Sequence, residues 1–398
     1  MMAFRMLVNF LLARSPTMSL KQMTPYYALE RVIVAPTLQA EWFADTFLFR
    51  IPLANVAQLL DQVKTELGAY QSIQPEGENF QGENFQVLYE RGKQLAEVKI
   101  NELGQINYFV LKSEPLPVTP EEAIEKLKDF PGRTNLLILD EDNLPIAAHG
   151  ADLALGVAST FKLAVLAALQ EKIKNGTLSW TDVVVLRPED KSVGGFLVNW
   201  FDGAVFTVES LAALMISVSE NTATDILMNL MGRDPIAPYA PRMFPLLTTR
   251  EIFVLKSPTN ENLLRRFRSG NSTNRAQVLE EVKSAPRPDA KLFPNKPIAL
   301  DLDYFFTPYE LCALMSKVAD LPLMIINPGL SAKSAINWDR VAFKGGSLPG
   351  VLNITLQLKS KNGKTYRLSA TWNDPSAVLD EAVFIDLIDL VVAGLLSR

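Results

Sequence analysis

Residues 156–170 read GVASTFKLAVLAALQ and put a hydroxyl, Ser159, and an amine, Lys162, at the head of an otherwise apolar run. From Phe161 to Leu169 Lys162 is the only polar residue, so a helix here has no solvent face and belongs at the centre of a core. Two readings of the pair stay open on these residues alone. Ser commonly caps helix N-termini, and a Lys near a helix end can extend its ammonium to water. Alternatively, residues three apart share a helical face, so the Lys162 amine can reach the Ser159 hydroxyl. A lysine partly stripped of water favours its neutral form and can then activate a serine without histidine.

Composition narrows the choice. The chain of 398 residues has a single histidine, His149, and a single cysteine, Cys312. That excludes HExxH zinc chemistry, cysteine-based zinc sites and an internal disulfide, and no motif implies a metal or an organic cofactor. A Ser-His-Asp triad would have to be built around His149, which lies in a polar turn shortly before Ser159. Ser with Lys is therefore the better pair for covalent catalysis. Cys312, in PYELCALMSKVA, reads as a small apolar residue on a helix.

A net charge of −5 argues against nucleic acid as a main partner. No apolar run reaches the roughly 18 residues of a membrane helix. Residues 1–23 read as a disordered or signal-like N-terminus: Arg5 precedes a short apolar stretch, yet no small-x-small cleavage site follows and Met18 is an alternative start. Extracytoplasmic and cytoplasmic locations both stay open, as does the oligomeric state.

Two domains are expected at this length. Pro115, Pro117 and Pro120 in SEPLPVTPEEA mark the boundary. Residues 24–116 carry a helical stretch from about Ala54 to Leu67, then strand-like runs NFQVLYE, LAEVKI and INYFVLK, the pattern of a small α+β domain with one antiparallel sheet. GENFQGENFQ, residues 77–86, is a local duplication. Residues 117–398 start with a strand hairpin (TNLLILDED, LPIAAHG), turn helical, and return to strands at DRVAFKGG, VLNITLQLKS and KTYRLSATWN before a closing helix, DEAVFIDLIDLVVAGLL. Strands from both ends of this half can form one sheet with a helical insertion, and a cleft forms where the two meet.

Two further motifs belong at such a cleft. Ser219-Glu220-Asn221 interrupts two apolar helices, where Ser and Asn also serve as ordinary caps. Lys344-Gly345-Gly346-Ser347 ends a strand. The other K-x-G copies have structural readings: Lys174-Asn175-Gly176 is a helix C-terminus and Lys361-Asn362-Gly363 a tight turn.

S-x-x-K, S-x-N and K-x-G in this order and setting resemble the penicillin-recognising serine hydrolases, above all the class A β-lactamase-like branch. The resemblance covers roughly residues 120 to 398. It implies an α/β (α+β) fold with a five-stranded antiparallel sheet and an all-helical subdomain; the smaller N-terminal domain is similar to cystatin-like or NTF2-like modules. It also implies an acyl-enzyme mechanism on a small-molecule β-lactam, peptide or ester. Ser159 would be the nucleophile, Lys162 its base, Ser219 the proton relay, and Asn221 the residue orienting the substrate amide. Lys344 would supply positive potential, and the N–H groups of Ser159 and Ser347, beside Gly346, would form the oxyanion hole.

Departures from the family pattern are Glu220 for Asp, Gly345 for a hydroxyl residue, and the lack of the E-x-x-L-N loop that carries the deacylating glutamate. Glu251 is the nearest candidate for that carboxylate, with a structural loop anchor as its other reading. Arg265, Arg266 and Arg268 read as a solvated helix face. The resemblance thus favours acylation over rapid hydrolysis; a D-alanyl carboxypeptidase, an esterase and a non-hydrolytic binding protein are the alternatives.

Overall fold

The computed structural model describes residues 23–75, 83–113 and 117–398. The signal-like N-terminus and most of the tandem GENFQ copy lie outside them. Chain contacts divide the molecule into two compact units, Met1–Leu116 and Pro117–Arg398.

In the first unit, helices α1 (Pro25–Val34), α2 (Asp45–Arg50) and α3 (Leu53–Leu67) precede four antiparallel strands, β1 (Tyr70–Pro75), β2 (Asn84–Tyr89), β3 (Gly92–Ile100) and β4 (Ile106–Ser113), paired in chain order. Alternate strand residues such as Phe85, Val87, Ala96 and Val98 are buried with Leu29, Val32, Leu60 and Val63 of the helices, the period-two pattern of a sheet with one covered face. The sequence reading found α3 but not α1. Helix α1 begins at Thr24, which accepts the Tyr27 N–H, with Pro25 in its first turn.

The second unit opens with α4 (Pro120–Lys128), whose capping box pairs Thr119 and Glu122. The hairpin β5 (Arg133–Leu139) and β6 (Pro145–His149) follows, then β7 (Leu155–Gly156) and α5 (Lys162–Lys174). A ribbon of β8 (Val183–Val185) and β9 (Val205–Thr207) leads into α6 (Val208–Ser217) and α7 (Asn221–Met231). Next come α8 (Thr249–Lys256), α9 (Glu261–Ser269), α10 (Ser272–Ser284), β10 (Phe305–Phe306), α11 (Pro308–Val318) and α12 (Ala332–Ala335). The chain closes with β11 (Trp338–Leu348), β12 (Val351–Ser360), β13 (Thr365–Asn373) and α13 (Glu381–Leu395).

Strands from both ends of this unit form one antiparallel sheet of five in the order β11-β12-β13-β5-β6, a mixed α/β architecture. Its two faces differ in chemistry. Leu136, Ile138, Leu356, Leu368 and Ala370 pack against Phe384, Ile388 and Val391 of α13 and Leu127 of α4. The opposite face of β12 and β13 carries small polar side chains that satisfy one another. Asn353 donates to the Ala370 carbonyl and Thr371 Oγ1, Thr355 donates to Asn353 Oδ1, and Thr355 shares a bond with Ser369. Buried polar groups are tolerated when paired in this way, and their small size lets neighbouring segments come close.

The helical half packs around α5, whose residues Lys162 to Leu169 are all buried. Cys312 of α11 is buried, and burial pushes its thiol up to about 12. His149 ends β6, its Nε2 within 3.3 Å of Thr134 Oγ1. The K-x-G copies at 174 and 361 sit at the end of α5 and in the β12–β13 turn, with Gly176 and Gly363 at positive φ. Leu166→Ala in α5 is expected to destabilise this unit by about 2–5 kcal/mol in chemical denaturation, because the site is closed on every side.

Candidate active site

Ser159 sits in a tight 3-10 turn, Ala158–Phe161, that runs directly into α5. No side-chain cap hydrogen bond forms at the start of the turn or of the helix, so Ser159 is not a cap. Four contacts pin the turn. The Asn373 amide brackets Gly156, accepting its N–H at 2.8 Å and donating to its carbonyl at 2.9 Å. Val157 N–H donates to the Tyr304 carbonyl, and Ala158 N–H to Asp303 Oδ1 at 3.1 Å. The Phe161 ring stacks on Tyr304. Ala158 has φ +45°, a conformation costing a non-glycine residue about 1–3 kcal/mol, and the Asp303 bond helps to maintain it.

Lys162 is fully buried. Its amine donates to the Ser219 carbonyl at 2.6 Å, to Asn221 Oδ1 at 2.8 Å and to Ser219 Oγ at 3.1 Å. The snorkelling alternative is therefore excluded. The expected bond to Ser159 is also replaced: among the described residues, all three acceptors of the amine belong to the α6–α7 break. An ammonium has three protons, and this break presents three oxygens to it. Burial lowers the Lys162 amine to about 7, against the opposing pull of Glu220 and Asp225.

Lys344 on β11 is buried as well and donates to Ser219 Oγ at 3.1 Å. Burial, and then the neighbouring Lys162, push it well below the usual lysine range. With both lone pairs of Ser219 Oγ approached by amines, its own proton is left to point elsewhere. Ser219 has φ +57°, which turns its carbonyl toward Lys162. The cap of α7 is Glu220, not Ser219 or Asn221: its carboxylate accepts the Ala223 N–H at 2.8 Å and the Leu197 N–H at 3.0 Å. The methylene by which Glu exceeds Asp is accommodated at Gly195, where a Cβ would stand 2.2 Å from Glu220 Oε1.

Gly346 brings the edge strand β11 against the Ser159 turn. A Cβ there would lie 2.0 Å from the Val157 carbonyl and 2.9 Å from the Ser159 nitrogen, so only glycine permits this approach. Ser159, Ser219, Asn221, Lys344, Gly346 and Ser347 line one cavity of 560 Å³, and Lys162 is bonded to two of them.

Glu251 does not line it. One of its oxygens accepts from Arg233 at 2.5 Å and the other from the Thr248 N–H at 2.8 Å, which makes it the capping-box anchor of α8. Arg266 and Arg268 pair with Glu281 and Asp301, and Arg265 bonds Asn262. Sequence reasoning missed Asp303, Phe253, Phe293 and Lys256, which also line the cavity. No motif marks them: they lie on the connection between the second and third motifs and meet only when that connection folds over the cavity.

Residues 119–262 match the model of a family described as the beta-lactamase enzyme family, a span that includes Ser159, Lys162, Ser219 and Asn221 but not Lys344. No curated protein matches the chain. Similar solved structures include a β-lactamase from Sphaerobacter thermophilus DSM 20745, 22% identical with a TM-score of 0.49, covering 70% of this chain and 95% of that one. PBP-A is 17% identical with a TM-score of 0.47, over 71% and 97% of the two chains. A β-lactamase from Desulfarculus baarsii DSM 2075 is 18% identical with a TM-score of 0.48, over 69% and 97%.

Glu251→Gln is expected to lower stability by about 1–3 kcal/mol through the weakened Arg233 pair. Chemical denaturation of wild type and variant measures the difference.

Proposed function

We propose that the protein is a serine hydrolase of the class A β-lactamase-like kind that forms an acyl-enzyme on Ser159 with an amide or ester substrate. The observation that carries this reading is the convergence of two buried lysine amines on Ser219 Oγ, beside a serine in a pinned, strained turn.

Ser159 Oγ attacks the substrate carbonyl and its proton passes to the neutral Lys162 amine, either directly or through Ser219. The developing oxyanion takes the N–H groups of Ser159 and Ser347, donors of a kind that contributes several kcal/mol to transition-state stabilisation. Ser219 then delivers a proton to the leaving nitrogen or oxygen and is resupplied by Lys162, to which it is hydrogen-bonded. Asn221, held by its donation to the Val193 carbonyl at 2.8 Å, offers the substrate amide a polar edge. Lys344 favours a substrate that brings a negative charge, since an anion beside it stabilises its ammonium form. Gly345 contributes no hydroxyl to that contact.

Deacylation is slow in this scheme. Asp303 and Glu381 are the carboxylates lining the cavity among the described residues, and Asp303 is engaged by the Ala158 and Tyr304 N–H groups. That shortage supports a second reading, a penicillin-binding protein that acylates and scarcely turns over. The reading of residues 24–116 as a cystatin- or NTF2-like domain remains part of the proposal, supported by its order of helices followed by an antiparallel sheet.

Incubation with a penicillin should add one acyl mass to Ser159, none to Ser159→Ala, and the adduct should persist. An unmodified Ser159 in folded protein at high penicillin, ester and peptide concentrations would overturn the reading. The acylation rate depends on neutral Lys162, whose amine loses its proton as pH rises through about 7. It should therefore climb about tenfold per pH unit below that point and level above it. A flat profile from pH 5 to 9 would remove Lys162 as the base.

A further inference from the structure

Lys256, the last residue of α8, is 7% exposed and lines the same cavity as Ser159. Its ammonium has neither a hydrogen bond nor an ion pair among the described residues. The charged groups that face it are Asp303, Asp301 and Arg268. Asp301 is taken by Arg268, which donates to it from Nε at 2.7 Å. Asp303 directs Oδ1 to the Ala158 and Tyr304 N–H groups, and Oδ2 lies 3.0 Å from where a Gly156 Cβ would stand. Neither carboxylate comes within ion-pair distance of Lys256. Lys256 is thus nearly buried, with its ammonium reaching the cavity and no group of the described residues at bonding distance, so a ligand entering there meets an unpaired cation.

The surroundings indicate what would complete it. Phe253, one turn earlier on α8, meets Phe293 edge to face at 5.2 Å, and both line the cavity. An apolar wall ending in an unpaired ammonium fits a ligand with an apolar body and a terminal anion.

We propose that Lys256 is a substrate-recognition residue that pairs with a carboxylate on the acyl group, while Phe253 and Phe293 hold the apolar chain between that carboxylate and the carbonyl attacked by Ser159. The substrate class is then an ester or amide of an apolar dicarboxylic acid. The reacting end of this assignment rests on the acyl-enzyme reading above, whereas the anion site stands on the cavity wall alone.

Two non-reacting probes of equal chain length test the site, adipic acid monoanilide and hexanoic acid anilide, with the full chain as wild type, Lys256→Met and Lys256→Gln. Calorimetry should show the acid binding wild type at least about tenfold more tightly than the neutral probe, and the ratio falling below about twofold in both variants. Equal affinities in wild type, a ratio that survives either substitution, affinities that fall together as for a purely structural lysine, or binding of neither probe would overturn the proposal. Acylation of Ser159 by the matching p-nitrophenyl esters, followed by mass spectrometry, separates the two readings. If the anilides discriminate while no ester modifies Ser159, the acyl-enzyme reading falls and the anion site stands. If the esters modify Ser159 while the anilides bind alike, the reverse holds.

Discussion

One buried ammonium organises the centre of the larger unit. Lys162 reaches no water, and a charge in that position requires oxygens on every side that its protons face. The break between α6 and α7 meets that requirement only in a particular shape. Ser219 adopts a left-handed conformation so that its carbonyl and hydroxyl both face the amine, Asn221 adds its side-chain oxygen, and the Val193 carbonyl fixes the Asn221 amide. Glu220, between them, turns away to cap α7 and to meet the backbone of Leu197. The same contacts that satisfy the charge bring the Ser219 hydroxyl to the amine, and burial lowers that amine to about 7.

The sheet constrains the other side. Small, mutually bonded polar side chains on β12 and β13 leave room for the Ser159 turn to approach, and Asn373 at the end of β13 clamps Gly156 by both its backbone groups. Gly346 then lets β11 close on the turn to a distance no other residue permits. A strained Ala158 persists because Asp303, Tyr304 and Asn373 over-determine its position. The position of Ser159 is thus set by three elements, none of which carries Ser159 itself.

Charge is distributed unevenly around the cavity. Three lysines, Lys162, Lys256 and Lys344, are buried at or beside it, while Asp303, Asp301 and Glu251 are committed to backbone groups or arginines and Glu381 is exposed at its rim. Such a surplus of buried amines suits a ligand that carries negative charge.

The sequence by itself determined whatever depends on spacing along the chain. The period-two strands β2 and β3 follow from side-chain alternation, the buried character of α5 from its missing polar face, and the turn roles of Gly176 and Gly363 from glycine's backbone freedom. It also singled out Ser159, Lys162, Ser219 and Lys344 as chemically unusual residues. Only the tertiary structure decided which partners those groups take. Lys162 bonds across to Ser219 and Asn221 instead of along its own helix, Glu220 rather than Ser219 is the cap, and Glu251 serves Arg233 and Thr248 away from the cavity. Lys256 carries no local signal at all, since a lysine ending a helix looks ordinary until packing places it, without a partner among the described residues, on the cavity wall. Periodicity specifies which face a side chain occupies; the identity of the atoms facing it, and hence its charge, is set by elements that meet only when the chain has folded.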